Sequence, residues 1–150
     1  MATTFHNLNV HVIWSTKERV PWITQDIEQR VWEYMAGIAR QKRMTPICVG
    51  GCDDHVHALL RLPANLDTSK AVQLIKGSSS KWIHETFPKL RAFRWQDGFG
   101  AFSVAQSGIP AVFKYIKNQR AHHRKKTFKE EFVEFLVKNE IDFDEGHLWD

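Results

Sequence analysis

Two histidines separated by one residue, His55-Val56-His57, and a tyrosine and a glutamine four positions apart, Tyr115 and Gln119, are the residues whose types and spacing suit chemistry. On a β-strand successive side chains point to opposite faces, so His55 and His57 share one face and Val56 takes the other. Two neutral imidazoles side by side suit a divalent metal. Residues four apart on a helix also share a face, which pairs Tyr115 with Gln119. The Gln119 amide oxygen would supply a third ligand, and Tyr115 would point at the same place. A metal held this way keeps open positions, so it can polarise a phosphodiester oxygen and orient it for in-line attack. A tyrosine hydroxyl titrates near ~10, so it needs nearby positive charge or a base to act as a nucleophile. Lys114, Arg120 and the metal itself are the candidates for that field. Attack would give a phosphotyrosine ester, which a second strand end could reverse.

Two other readings fit parts of the pattern. Cys48, Cys52, His55 and His57 form a C-x3-C-x2-H-x-H array that zinc would accept, although structural zinc sites usually space their histidines further apart on a helix. Cys48 reads better as a small buried hydrophobe. A non-catalytic nucleic-acid-binding sheet would use exposed aromatics for base stacking, and six tryptophans are available. Large aromatics usually bury, however, and the strand that would carry the stacking pair carries His55 and His57 instead.

The elements that must position these residues follow from periodicity. The chain has 150 residues, enough for one domain with a full core. Residues 5–14 alternate Leu8, Val10, Val12 and Trp14 onto one strand face. Thr24 caps a helix to about residue 43, with Ile27, Val31, Met35 and Ile38 at helical spacing. A strand over 45–51, ended by Gly50-Gly51, and a strand over 55–62 are close enough to form a hairpin. Asp67 or Thr68 opens a helix to about Thr86, stopped before Pro88. A strand near 99–106 follows, then a helix from Pro110 to about Lys126 bearing the tyrosine. Thr127-Phe128-Lys129-Glu130 matches a capping box and opens a last helix to about Asn139. The order predicts an α+β protein: a ferredoxin-like split βαβ core with an antiparallel sheet and two helices on one face, plus two appended C-terminal helices.

Charge points to a polyanion. The net charge is +4, and no acidic residue occurs between Gly98 and Lys129. That stretch holds Lys114, Lys117, Arg120, Arg124, Lys125, Lys126 and Lys129, and an acidic tail follows it. The tyrosine helix is therefore expected to bind a phosphate backbone. No run of about 18 apolar residues suggests a membrane span. Met1 to Phe5 lacks the basic start of a signal peptide, so a cytoplasmic protein is expected. Its two cysteines, Cys48 and Cys52, should remain thiols there.

Ordered blocks along nearly the whole chain resemble one family. They are Ser15-Thr16-Lys17-Glu18-Arg19, Asp54-His55-Val56-His57-Ala58-Leu59-Leu60, Leu74-Ile75-Lys76-Gly77-Ser78-Ser79-Ser80, Trp95-Gln96-Asp97-Gly98-Phe99, Tyr115-Ile116-Lys117-Asn118-Gln119, His122-His123, and Asp144-Glu145-Gly146-His147-Leu148-Trp149. The set resembles the HUH single-tyrosine transposases of bacterial insertion sequences, especially the REP-associated branch. The resemblance implies cleavage and rejoining of single-stranded DNA through a 5′-phosphotyrosine, with Mg²⁺ or Mn²⁺ as cofactor. On it, Tyr115 is the nucleophile, and His55, His57 and Gln119 are the metal ligands. Lys17, Arg19 and Lys76 within these blocks join Lys114, Arg120 and Arg124 as expected DNA contacts. It further implies hairpin-forming substrates and a homodimer, in which the tyrosine helix serves its own or its partner's histidines. Phe99 stands where a tyrosine is common and Ser78 where a larger polar or basic residue is common, which bears on substrate contacts and not on the catalytic groups. His123, four residues past Gln119 on the same face, could approach the metal or a phosphate, but a solvated histidine on a basic helix is the expected reading. A host-adopted relative that keeps the nuclease step would carry the same residues.

Overall fold

The computed structural model describes residues 3–149. Met1, Ala2 and Asp150, at the ends of the N-terminus and acidic tail read above, lie outside the described residues. Four strands form one antiparallel sheet: β1 (Leu8–Ser15), β2 (Thr45–Cys52), β3 (His55–Leu62) and β4 (Gly100–Ser103), in the order β2-β3-β1-β4. Helices α1 (Gln25–Gln41) and α2 (Thr68–Thr86) connect them in the split βαβ pattern, and α3 (Ile109–Lys117), α4 (Gln119–His122) and α5 (Phe128–Lys138) follow β4. The expected α+β architecture is the observed one.

Alternation assigns the two sheet faces. Val12 and Trp14 of β1 and Val56, Ala58, Leu60 and Leu62 of β3 point toward α1 and α2. There they bury with Val31, Trp32, Met35 and Ile38 of α1 and Val72, Ile75 and Ile83 of α2. Each such side chain contributes roughly 1.5–3 kcal/mol of transfer free energy. The helices start where side chains or turns satisfy their first amide groups. Asp67 accepts from the Lys70 amide at 2.7 Å at the start of α2. Thr127 and Glu130 form the full capping box of α5. Thr24 occupies the N-cap of α1, but its hydroxyl bonds to Asp26 instead of a backbone amide.

Three local readings need correction. Gly50 and Gly51 do not end β2, which runs on to Cys52. They are glycines because their surroundings leave no room: a Cβ on Gly50 would lie 2.9 Å from Ile116 Cγ2, and one on Gly51 would lie 2.2 Å from the His55 carbonyl oxygen. The first lets α3 rest on the strand, and the second closes the hairpin turn. The tyrosine helix does not run unbroken to Lys126. It stops at Lys117, and Asn118 (φ −101°, ψ 19°) separates it from the short turn of α4. Finally, β4 ends at Ser103 because the chain turns through a 3-10 segment at Gln106–Gly108 before α3.

Candidate functional site

The second sheet face gathers the site residues expected from sequence. His11 and Ile13 of β1 and His55, His57 and Leu59 of β3 point away from α1 and α2. Two apolar patches fasten the late helices over them. Ile116 of α3 packs on Cys48 and Leu59, and Phe128, Phe132 and Leu136 of α5 pack on Ile13 and Phe102. Between these patches the helices deliver Tyr115, Gln119, His122, His123 and Glu131 onto the two strand histidines.

Both strand imidazoles are fully buried and oriented from behind. His55 Nδ1 lies 2.7 Å from Asp54 Oδ1, and its Nε2 lies 2.8 Å from Gln119 Oε1. His57 Nδ1 lies 2.8 Å from His11 Nε2, and its Nε2 lies 3.1 Å from Glu131 Oε1. The Tyr115 hydroxyl donates to Glu131 Oε2 and lies 3.3 Å from His122 Nε2. Its ring stands edge-on to His57, with centroids 5.7 Å apart. Gln119 Nε2 donates to Glu131 Oε2 at 3.2 Å, which fixes the amide so that its oxygen faces His55. All of these residues belong to one chain, so Tyr115 stands beside its own histidines. The Asn118 break does not separate Tyr115 from Gln119, since both reach Glu131.

Burial and charge set the protonation of the group. Burial pushes His57 down to about 4, against the pull of Glu131. Burial and the neighbouring His57 push His11 down to about 3. Burial, then the hydrogen bond and charge of Glu131, raise the Tyr115 hydroxyl well above its ordinary value. Glu131 is pushed up by burial, but hydrogen bonds from His123 and His57 outweigh this and hold its carboxyl low. Burial opposes the charge on His123, yet the Glu131 hydrogen bond and charge raise it overall. The resting site therefore holds a neutral tyrosine hydroxyl against an ionised carboxylate.

The donor set fits a divalent metal. A neutral imidazole has one N–H. With that proton on Nδ1, bonded to Asp54, the His55 Nε2 lone pair faces the Gln119 oxygen lone pair at 2.8 Å. A cation shared by the two atoms satisfies both. Donor atoms of His55, His57, His123 and Glu131 lie within 4.8 Å of one another. Neither cysteine joins them: Cys48 is buried against Leu59 and Ile116, and Cys52 lies near Arg120. The C-x3-C-x2-H-x-H zinc array is thus not assembled among the described residues.

The family described as Transposase IS200 like matches residues 4–119. The chain belongs to that family. Transposition of DNA is the activity this membership implies. The chain is 24% identical over 119 residues to the ISDra2 transposase TnpA of Deinococcus radiodurans, covering 76% of this chain and 85% of the relative. It is 25% identical over 124 residues to the transposase for insertion sequence element IS200 of Salmonella typhimurium, covering 79% and 81%. Two solved structures share the fold. One is a candidate transposase from Deinococcus radiodurans, with TM-score 0.66, 22% identity, and 79% of this chain and 95% of that chain covered. The other is a REP-associated tyrosine transposase bound to a REP hairpin, with TM-score 0.59, 16% identity, and 82% and 74% covered.

In this IS200-like chain the basic residues read from sequence differ in how far they are engaged within the protein. Lys114 and Arg124 are exposed. Arg120 is tied to Glu28 Oε2 and Asp53 Oδ1, each at 2.7 Å. Lys76 donates to the carbonyls of Gln96, Asp97 and Gly98 and lies over the rings of Trp14 and Phe99, so it clamps the loop before β4. Burial lowers Lys76 to about 8, partly offset by Asp97. Arg19 lies over Trp149, and the Lys17 amide bonds to the Arg94 carbonyl. No helix among the described residues is long and apolar enough to cross a membrane.

Glu131, His11 and His123 are the site residues that sequence reasoning missed or misjudged. His123 is not solvated: its side chain is 8% exposed, and Nε2 lies 3.2 Å from Glu131 Oε1. A signal for Glu131 existed. Phe128, Phe132, Phe135 and Leu136 mark one face of α5 at helical spacing, and Glu131 occupies the remaining position of that stripe. A carboxylate on an apolar stripe must find partners or stay out of the core.

Proposed function

We propose that this chain is a metal-dependent transposase that cleaves and rejoins single-stranded DNA through a 5′-phosphotyrosine formed on Tyr115. The observation that carries the reading is the Tyr115 ring set edge-on to the buried His57, with its hydroxyl on the Glu131 carboxylate that also reaches His57, in a chain of the IS200-like family. His55, His57 and Gln119 would hold the cation, Mg²⁺ or Mn²⁺ on the resemblance drawn from sequence. When bound, such a cation supplies Lewis-acid polarisation of the scissile phosphate.

The remaining work falls to side chains. Tyr115 Oη attacks phosphorus, its O–P bond forms, and the bond from phosphorus to the 3′ oxygen breaks. That oxygen leaves and becomes the free 3′-hydroxyl on taking up a proton. The tyrosine's own proton has an acceptor in place, since Glu131 Oε2 already takes its hydrogen bond. Proton transfer concerted with attack suits a hydroxyl whose ionisation is otherwise raised. Asp54 and His11 hold the two imidazole rings in orientation. Attack on the ester by another strand's 3′-hydroxyl reverses the bond changes and joins that strand.

The substrate is read as hairpin-forming DNA. One relative in fold is bound to a REP hairpin, and the exposed Lys114 and Arg124 are suited to phosphates. A homodimer belongs to the same proposal, with each tyrosine serving its own chain's histidines.

The test is incubation with labelled single-stranded hairpin DNA from beside the gene, with Mg²⁺ or Mn²⁺. A covalent protein–DNA adduct is expected, lost in Tyr115→Phe and sharply reduced in His57→Ala. Persistence of the adduct in Tyr115→Phe would overturn the nucleophile. Mixing the two variants should not restore activity, because each chain completes its own site.

A further inference from the structure

We infer that His123 and Glu131 join His55, His57 and Gln119 as ligands of the same cation, making a centre of three imidazoles, one carboxylate and one amide oxygen that prefers a first-row transition ion to Mg²⁺. The inference rests on the metal-dependent reading above and identifies the ligands and ion class of that site.

The three imidazoles are prepared alike. Each has Nδ1 engaged on its outer side: His55 with Asp54 Oδ1 at 2.7 Å, His57 with His11 Nε2 at 2.8 Å, and His123 with the Lys126 carbonyl at 2.6 Å. A carbonyl only accepts, so His123 carries its proton on Nδ1. Its Nε2 is buried and faces Glu131 Oε1 at 3.2 Å. Metal-bound histidines typically show this arrangement, with one nitrogen tethered to fix the ring and the other presented.

Glu131 divides its two oxygens. Oε1 stands among the imidazoles, 3.1 Å from His57 Nε2, 3.2 Å from His123 Nε2 and 3.6 Å from His55 Nε2. Oε2 faces outward to Tyr115, Gln119 and His122. Ligands bonded at ~2.1 Å to one ion lie ~3.0–3.4 Å from their neighbours; the His57 and His123 separations from Glu131 Oε1 fall in this range, and the His55 separation is slightly longer. The carboxylate thus joins the ion on one side to the nucleophile on the other. Gln119 keeps its place as a ligand, its oxygen 2.8 Å from His55 Nε2. Mg²⁺ is a hard cation that favours oxygen ligands and retains waters, whereas imidazole nitrogens favour transition ions. Three nitrogens in the donor set therefore bias the site against Mg²⁺.

Co²⁺, whose visible absorption reports its ligands, is the probe. Titration without DNA should show one bound Co²⁺ that Mg²⁺ displaces only in large excess. His123→Ala and Glu131→Gln should each weaken Co²⁺ by at least about tenfold and alter the spectrum, while Tyr115→Phe leaves both unchanged. Glu131→Gln removes a buried charge from several partners, so the unsubstituted protein gives an independent measurement. Pulsed EPR of bound Mn²⁺ should count three coupled imidazoles, and two would overturn the proposal. Wild-type Co²⁺ affinity and spectrum in His123→Ala, or equal competition by Mg²⁺, would also overturn it. Those results would leave the phosphotyrosine reading standing, whereas normal metal binding without a Tyr115-dependent adduct would do the reverse.

Discussion

The two faces of the sheet are made from the same strands, residue by alternate residue, yet opposite chemistries close them. Toward α1 and α2, Val12, Trp14, Val56, Ala58 and Leu60 meet aliphatic and aromatic side chains. Toward α3, α4 and α5, His11, His55 and His57 meet Tyr115, Gln119, His123 and Glu131, with apolar packing confined to flanking patches. The first face is stabilised by area removed from water and tolerates changes that conserve volume. The second depends on each buried polar atom finding a partner, and loss of one leaves the others exposed to the full desolvation cost. The second face concentrates groups with unspent ligand and proton capacity, which is why the proposed reaction is assigned to it.

The largest separation of the faces should come from Tyr115→Phe. Adduct formation is expected to disappear, with the urea midpoint lowered only by the loss of one hydrogen bond to Glu131, about 1–3 kcal/mol, as read by gel assay and by denaturation. Adduct formation by the variant would break the comparison at its centre. The opposite result is expected on the other face. Leu60→Ala should cost about 2–5 kcal/mol in denaturant unfolding, with adduct yield per folded molecule retained. A loss of chemistry without a loss of stability would show that the faces are not separable.

Acid should act through the polar face. In chelator, unfolded histidines take up protons near their ordinary 6.5, whereas His57 and His11 in the folded chain resist until about 4 and about 3. Between those values the unfolded state binds more protons, so stability falls as pH falls, by up to ~1.4 kcal/mol per pH unit for each histidine. Glu131, held low by its histidine partners, adds loss in the same direction once pH drops below the ordinary carboxylate range. His11→Ala should flatten the slope between pH 6.5 and 4 in melts of the metal-free protein. An unchanged slope would place the titration elsewhere.

Smaller effects sharpen the picture. Thr127→Ala removes the capping box of α5, the helix that carries Glu131, and should cost about 1 kcal/mol by thermal melting. For single-stranded DNA, log K should fall with log salt by ~0.7 per phosphate neutralised. Lys114→Ala or Arg124→Ala should reduce that slope by about one such step. Arg120→Ala should leave it nearly unchanged, because Arg120 is held by Glu28 and Asp53.

Much of this site was legible one element at a time. The period of two put His55 and His57 on one face, and the capping box marked the start of α5. The i,i+4 spacing paired Tyr115 with Gln119 despite the unforeseen break at Asn118. Gly50 and Gly51 were read as a strand end because their sequence neighbours gave no hint of Ile116 or of the His55 carbonyl. Arg120 and Lys76 read as DNA contacts because charge patterning counts cations without showing which are already paired.

Alternation and spacing by themselves determined the split βαβ sheet, the paired histidines and the tyrosine–glutamine face, because they depend on fixed strand and helix periods. Only the tertiary structure decided which groups share the buried space above the sheet. His11 of β1 is far in sequence from His123, just past α4, and from Glu131 of α5, and their meeting depends on how α3 and α5 dock. That docking is set by Gly50 clearance and by aromatic packing of Phe128 and Phe132, which no local period encodes.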